Sequence, residues 1–146
     1  MSAEKKIRVG ITIGDVNGIG PEVIIKTLRN SEFTKNFIPI IYGSTRVMSF
    51  HKKAINDKFF HYHSIKDADD AVASKNNMSS CWDFEVKVKW GEKSKEAGKC
   101  AFLSLERATK DLAESKIDVL VTAPICKEAI QEAGFEFPGH TEYLAH

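Results

Sequence analysis

The chain has 146 residues, 42% of them apolar and 28% charged, with a formal net charge of +1. That size and composition suit one soluble globular domain with a real core. The near-neutral balance argues against a nucleic-acid-binding surface, and the interspersed charges leave no block that would act as an interaction tail.

Ile7-Arg8-Val9-Gly10-Ile11-Thr12-Ile13 alternates apolar with other residues and predicts a first strand. It runs into Gly14-Asp15-Val16-Asn17-Gly18-Ile19-Gly20-Pro21-Glu22. Glycines there permit a tight turn, Pro21 suits the first helical position, and Glu22 complements the helix dipole. The helix that follows, over 23–29, would bury Ile24, Ile25 and Leu28. A strand, glycine loop and helix start could cradle a phosphate or serve only as a turn, and the spacing is neither GxGxxG nor a P-loop with its GK pair.

Phe37 to Tyr42 predicts a second strand, with Pro39 near its start or at a bulge. Gly43 turns the chain, Ser44 is placed to cap a helix, and Val47, Met48, His51 and Ile55 share one helical face. Phe59-Phe60-His61-Tyr62-His63 predicts a short third strand. On it His61 and His63 would point the same way, the spacing of a two-ligand metal clip, but no acid or third histidine is placed to complete a site. The polar stretch from Asp67 to Ser80 has no calcium-loop spacing and predicts an irregular excursion or a weak helix. Glu85 to Trp90 alternates charge with Val86, Val88 and Trp90, predicting a half-exposed strand, antiparallel or at an edge, with Trp90 turned to the core.

After Gly91, Ser94 is placed to cap a long helix whose stripe is Ala97, Ala101, Leu105, Ala108 and Leu112. Ala97, Gly98 and Ala101 would let a neighbour approach closely, and Glu106, Arg107, Lys110 and Asp111 fall on its solvated side. Val119-Leu120-Val121 then predicts a strand, Thr122-Ala123-Pro124 a break, and the next residues a short helix ended by Gly134. Thr122, Cys126 and Lys127 therefore lie just past a strand's carboxyl end, where open α/β sheets bind ligands. Pro138-Gly139 makes a turn presenting His140, Thr141 and Glu142, a set able to titrate, hydrogen-bond and, with Lys127, hold an anion. The same residues would equally make a polar loop with a surface histidine.

Cys81, Cys100 and Cys126 are odd in number, far apart and without CxxC spacing, which indicates three reduced thiols and no zinc knuckle. No apolar run is long enough to span a membrane, and Met1 to Lys6 lacks signal-peptide architecture, so a cytoplasmic location is expected. Alternating strands and helices predict an α/β fold with a mixed, largely parallel sheet flanked by helices.

TAPICKEAI and FPGHTEYLA, with GDVNGIGPE near the start, resemble the motifs of the 4-hydroxythreonine-4-phosphate dehydrogenase family of pyridoxal phosphate biosynthesis. Members usually read TAPINKEA, PGHTE and GDPAGIGPE, so Cys126 replaces an Asn and Val16-Asn17 replaces Pro-Ala. The resemblance implies an isocitrate/isopropylmalate dehydrogenase-like fold, incomplete here. Residues 1–146 would be the amino-terminal portion, without an internal linker, of a dehydrogenase about twice this length. It implies NAD(P)-dependent oxidation and decarboxylation of 4-phosphooxy-L-threonine, with NAD or NADP and a divalent metal (zinc, magnesium or cobalt) as cofactors. By the family's pattern His140 and Thr141 bind substrate, and Lys127 extends that set as an anion contact. The family's metal-binding histidines, and most of its phosphate- and cofactor-binding residues, belong to the portion not contained here. No catalytic, cofactor-binding or metal-ligating residue is therefore assigned, His146 included. Family members are homodimers whose active sites borrow residues across the interface, so the chain alone is expected to be inactive. The alternatives are a dehydrogenase of a related phosphorylated hydroxy acid such as 4-phosphoerythronate, and a non-catalytic binding half-domain; a phosphate acyltransferase is a weaker one.

Overall fold

The computed structural model describes residues 6–134 together with Leu144. Five strands, β1 (Ile7–Thr12), β2 (Phe37–Gly43), β3 (His63–Ile65), β4 (Asn77–Ser80) and β5 (Val119–Thr122), form one sheet in the order β3-β4-β2-β1-β5. Every pairing is parallel. Among the described residues they are accompanied by the α-helices α1 (Gly20–Leu28), α2 (Glu32–Asn36), α3 (Thr45–Ala54), α4 (Lys95–Ala113) and α5 (Lys127–Glu132). The expected α/β class with helix-flanked parallel strands is present, but among the described residues the antiparallel element is not.

The register sorts the side chains onto two faces. Ile11, Ile41 and Met78 pair in line across β1, β2 and β4 and pack against Ile24, Ile25 and Leu28 of α1 and Val47 and Met48 of α3. On the other face Ile40 and Tyr42 pack with Ala108 of α4 and with Ile117. Strands buried on both sides read as continuous apolar runs, which is why Phe37–Gly43 is legible from sequence. Pro39 lies in β2 before β4 begins to pair at Ile40, so its missing N–H costs no bond on that side.

Local chemistry fixes the helix ends. Pro21 occupies the first turn of α1, and Glu22 pairs with Lys26 at 3.0 Å. The Ser94 hydroxyl accepts the Ala97 N–H at 3.0 Å, a cap worth about 1 kcal/mol. Ser44 stands at the N-cap of α3 but makes no side-chain cap bond. A Cβ on Gly98 would lie 1.9 Å from the Ala129 carbonyl oxygen, so only glycine lets α4 meet the backbone of α5. Gly134 follows α5 with φ +104°.

Four expectations are corrected. The third strand is His63–Ile65 rather than 59–63, because the Asp57 carboxylate takes the amides of Phe59 and Phe60, at 3.1 and 2.7 Å. Asn77–Ser80 is a strand between β2 and β3, where an irregular stretch or weak helix was expected. Glu85–Trp90 forms no strand, since the Lys89 N–H is taken by the Asn17 side chain instead of a ladder, and Trp90 is 54% exposed. Asp111 is buried, not solvated: it accepts a 2.7 Å bond from the Tyr42 hydroxyl through α4. Burial first, then that carboxylate, pushes the Tyr42 phenol far above its ordinary range.

Candidate active-site crevice

The sheet's order creates the candidate site. α1, after β1, packs with α3 on one face, whereas α5, after β5, packs with α4 on the other. Adjacent strands whose following elements leave to opposite faces open a crevice at their carboxyl ends, the usual ligand position in open α/β sheets. Here that position, the crevice mouth, is formed by the glycine loop after β1 and the loop from Thr122 to Cys126 side by side.

These two loops are in direct contact. The Asp15 N–H donates to the Pro124 carbonyl at 3.0 Å, and the Ala123 N–H donates to Thr12 at 3.3 Å. Gly14 has φ +68°, and a Cβ there would stand 2.2 Å from the Pro124 oxygen. Glycine is thus required twice over, by backbone angle and by space. The two motifs, about a hundred residues apart in sequence, are one structural unit at the sheet's carboxyl edge.

A second layer holds the glycine loop. Asn17 is buried; its backbone N–H donates to the Asp15 carboxylate at 3.0 Å. Its side-chain oxygen accepts the Lys89 N–H at 2.8 Å, its amide donates to Glu92 at 3.1 Å, and its carbonyl accepts the Gly91 N–H at 2.9 Å. Asn17 therefore stitches the 89–94 strap across the loop. His51 of α3 supports the same loop from below, its Nε2–H donating to the Val16 carbonyl at 2.8 Å. Trp90 meets the His51 ring edge-to-face at 4.8 Å. Burial lowers the His51 pKa, against the Val16 bond and the Glu22 and Asp15 carboxylates, which raise it. The sequence signal for this layer was the Asn at position 17, a departure from the resembled motif whose structural role spacing could not reveal.

Thr122 ends β5 and is half-buried; Cys126 takes the N-cap position of α5 without a side-chain cap bond, and Lys127 is the exposed first residue of that helix. Thr122, Cys126 and Lys127 thus stand at the strand's carboxyl end, as expected. His140, Thr141 and Glu142 lie outside the described residues. Lys93 pairs with Glu128 on α5, an exposed bridge of little energetic weight. Burial pushes the thiols of buried Cys100 and half-buried Cys81 up to about 12, which keeps both protonated and poor nucleophiles.

His61 and His63 line a cleft of about 300 Å³ with Arg29, Lys75 and Asn76. It sits at the amino ends of β3 and β4, opposite the crevice. Among the described residues no group of three His, Cys, Asp or Glu side chains is placed to hold a metal ion. The described residues thus do not by themselves fit the implied metal.

The family model described as "Pyridoxal phosphate biosynthetic protein PdxA" matches residues 35–146. A 4-hydroxythreonine-4-phosphate dehydrogenase of Bacteroides thetaiotaomicron is 46% identical over 141 residues, covering 97% of this chain and 38% of that protein. A D-threonate 4-phosphate dehydrogenase of Cupriavidus necator is 34% identical, covering 94% of this chain and 42% of that protein. The crystal structure of a 4-hydroxythreonine-4-phosphate dehydrogenase from Burkholderia phymatum superposes with a TM-score of 0.87 at 29% identity, over 98% of this chain and 44% of that one. The chain spans about two fifths of the length of these relatives, and over that span it belongs to the PdxA family of pyridoxal phosphate biosynthetic proteins.

Proposed function

We propose that this chain is the amino-terminal portion of an NAD(P)-dependent dehydrogenase that oxidises and decarboxylates 4-phosphooxy-L-threonine in pyridoxal 5'-phosphate biosynthesis. The observation that carries the proposal is the packing of the glycine loop against the Thr122–Cys126 loop, within a chain 46% identical to a 4-hydroxythreonine-4-phosphate dehydrogenase. Lys127 supplies a cation at the crevice, and its assigned role is to hold an anionic group of the substrate. Substrate-contacting roles for His140 and Thr141 rest on the family motif alone. The nicotinamide and the divalent metal would be held by residues beyond those described, in a homodimer. The 146-residue chain by itself is inactive on this reading.

A second substrate has its own support. The Cupriavidus necator relative is named for D-threonate 4-phosphate, another phosphorylated hydroxy acid. The two are separated by following NAD and NADP reduction on each substrate with zinc, magnesium or cobalt, using both the 146-residue chain and the longest natural form, whose intact mass is measured. Metal-dependent turnover of 4-phosphooxy-L-threonine by a longer form, with none by the short chain, is the expected result. Turnover by the short chain would overturn its inactivity, and preference for D-threonate 4-phosphate would reassign the substrate.

A further inference from the structure

A second pair of neighbouring strands diverges at the carboxyl edge of the sheet. β2 and β4 lie side by side, with Gly43 in register with Ser80. α3, after β2, packs with α1 on one face, whereas Ala108 of α4, after β4, packs against Ile40 and Tyr42 on the other. The rule that opens the first crevice applies to this pair as well. A cleft of about 260 Å³ lies there, with Ser44, Thr45 and Arg46 from the start of α3 and Ser80, Trp82 and Asp83 from the end of β4 and just beyond.

The start of α3 is left uncapped in this cleft. Ser44 has the extended backbone of an N-cap residue, φ −147° and ψ 137°, yet its hydroxyl makes no cap bond. Among the described residues nothing bonds that hydroxyl, and nothing accepts the N–H of Thr45, Arg46 or Val47. Ser44 is 5% exposed and Val47 3%, and polar groups buried that deeply ordinarily have partners. Trp82, 9% exposed, adds a buried indole Nε1–H that also lacks an acceptor among the described residues. Phe84 stacks on the Trp82 ring at 6.2 Å, and the Lys99 ammonium lies 4.8 Å above Phe84. The exposed Arg46 guanidinium has no carboxylate partner among the described residues.

We propose that this cleft binds the phosphate group of a small molecule. Three helix N–H groups, the positive end of the α3 dipole, the Ser44 hydroxyl, the Trp82 N–H and Arg46 all call for an acceptor that carries negative charge. A carboxylate brings two oxygens in one plane, whereas a phosphate monoester brings three acceptor oxygens around a tetrahedral centre and serves more of these donors at once. The one opposing group is the exposed Asp83 carboxylate, which would accept a hydroxyl on the same ligand. Two sources share this chemistry, a phosphorylated hydroxy compound and free phosphate. The inference goes beyond the proposed reaction: it uses none of Lys127, His140 and Thr141.

The test titrates the 146-residue chain with inorganic phosphate and with glycerol 3-phosphate, using sodium chloride at matched ionic strength as control. Proton–nitrogen NMR follows the Thr45, Arg46 and Val47 amides and the Trp82 indole. The expected result is a saturable shift of all four signals with either phosphate compound and none with chloride. Tighter binding of glycerol 3-phosphate assigns the site to a phosphorylated metabolite and equal binding to free phosphate; both support the proposal. Ser44→Asp places a tethered carboxylate over the Val47 N–H, so it should weaken phosphate binding at least tenfold without lowering the melting temperature. Arg46→Gln should weaken it at least threefold, whereas Lys53→Gln, at the far end of α3, should leave it unchanged. Shifts that do not saturate, that chloride reproduces, or that survive Ser44→Asp in a folded variant would overturn the proposal. Because no turnover is read, failure of the proposed reaction would leave this inference standing.

Discussion

Two halves of the same sheet are built to different standards. At β2 and β4, Ile40, Ile41, Tyr42 and Met78 are fully buried between α4 on one face and α1 with α3 on the other. At β5, only Leu120 turns to packed neighbours, while Val119 and Val121 face solvent. β2 and β5 are both apolar runs, so hydrophobicity does not separate them; what separates them is how far helices cover each one. The first half can supply the chain's stability, whereas the second holds the crevice loops and leaves Val119 and Val121 exposed.

The largest expected effect tests that contrast directly. Ile41→Ala should lower unfolding free energy by about 3 kcal/mol, within the range for emptying a closed core site. Val121→Ala, at a residue 51% exposed, should cost well under about 1 kcal/mol. Urea denaturation of both variants gives the comparison, and equal losses would mean that β5 is covered in solution.

Next comes the stitch across the crevice. Asn17→Ala removes the acceptor for Lys89 and the donor to Glu92 and leaves both partners to find water. A loss of about 1–2 kcal/mol is expected. Faster amide exchange at Lys89 and altered Trp90 fluorescence should accompany it, while β2 amides stay protected. Uniform loosening of β2 and the strap would show that they unfold as one unit.

Smaller, and of opposite sign, is Cys126→Asn. Cys126 stands at the N-cap of α5 and makes no cap bond, whereas asparagine is among the best acceptors at that position. The variant should gain about 0.5–1 kcal/mol, with slower exchange in α5 only. No gain would mean that the cap geometry of α5 does not admit a side-chain acceptor.

What the sequence revealed follows the same division. β1, β2, β5, the α1 start at Pro21 and the Ser94 cap were legible because apolar runs and caps act locally. β4 was not, because Asn77-Met78-Ser79-Ser80 has little strand propensity. Its place is secured by two flanking strands, with the Asn77 side chain bonded to Pro39, Val72 and Lys75 carbonyls and to the Val72 N–H. The 85–90 stretch failed in the opposite direction: its alternation is real, but Asn17 is far away in sequence and takes the backbone groups a ladder would use. Asp111 was misplaced because only the fold reveals Tyr42 opposite it. In the crevice, Thr122, Cys126 and Lys127 were placed by the strand–break–helix pattern. The part played by His51 depends on a contact with Val16 that no periodicity encodes.

That histidine supplies the smallest predicted effect, and pH isolates it. Burial holds the folded-state pKa of His51 below its ordinary value, so the unfolded chain binds the proton more readily. Its contribution is complete above the ordinary histidine pKa of about 6.5 and is lost as pH falls below that toward the lowered folded value. Burial alone would push the Asp57 carboxyl up, but the Phe60 and Phe59 amides and the Arg29 guanidinium outweigh it and hold the carboxyl low. The Lys116 ammonium and the Asp69 amide hold Asp67 low as well. Those two carboxylates stabilise the fold above their ordinary pKa of about 3.9 and lose that contribution at lower pH, so their window lies beneath that of His51. Urea midpoints should therefore fall in two steps on acidification. His51→Gln, which keeps a donor for the Val16 carbonyl but cannot take up a proton, should abolish the upper step and leave the lower one intact. If the upper step survives in that variant, the crevice loop is not what titrates there.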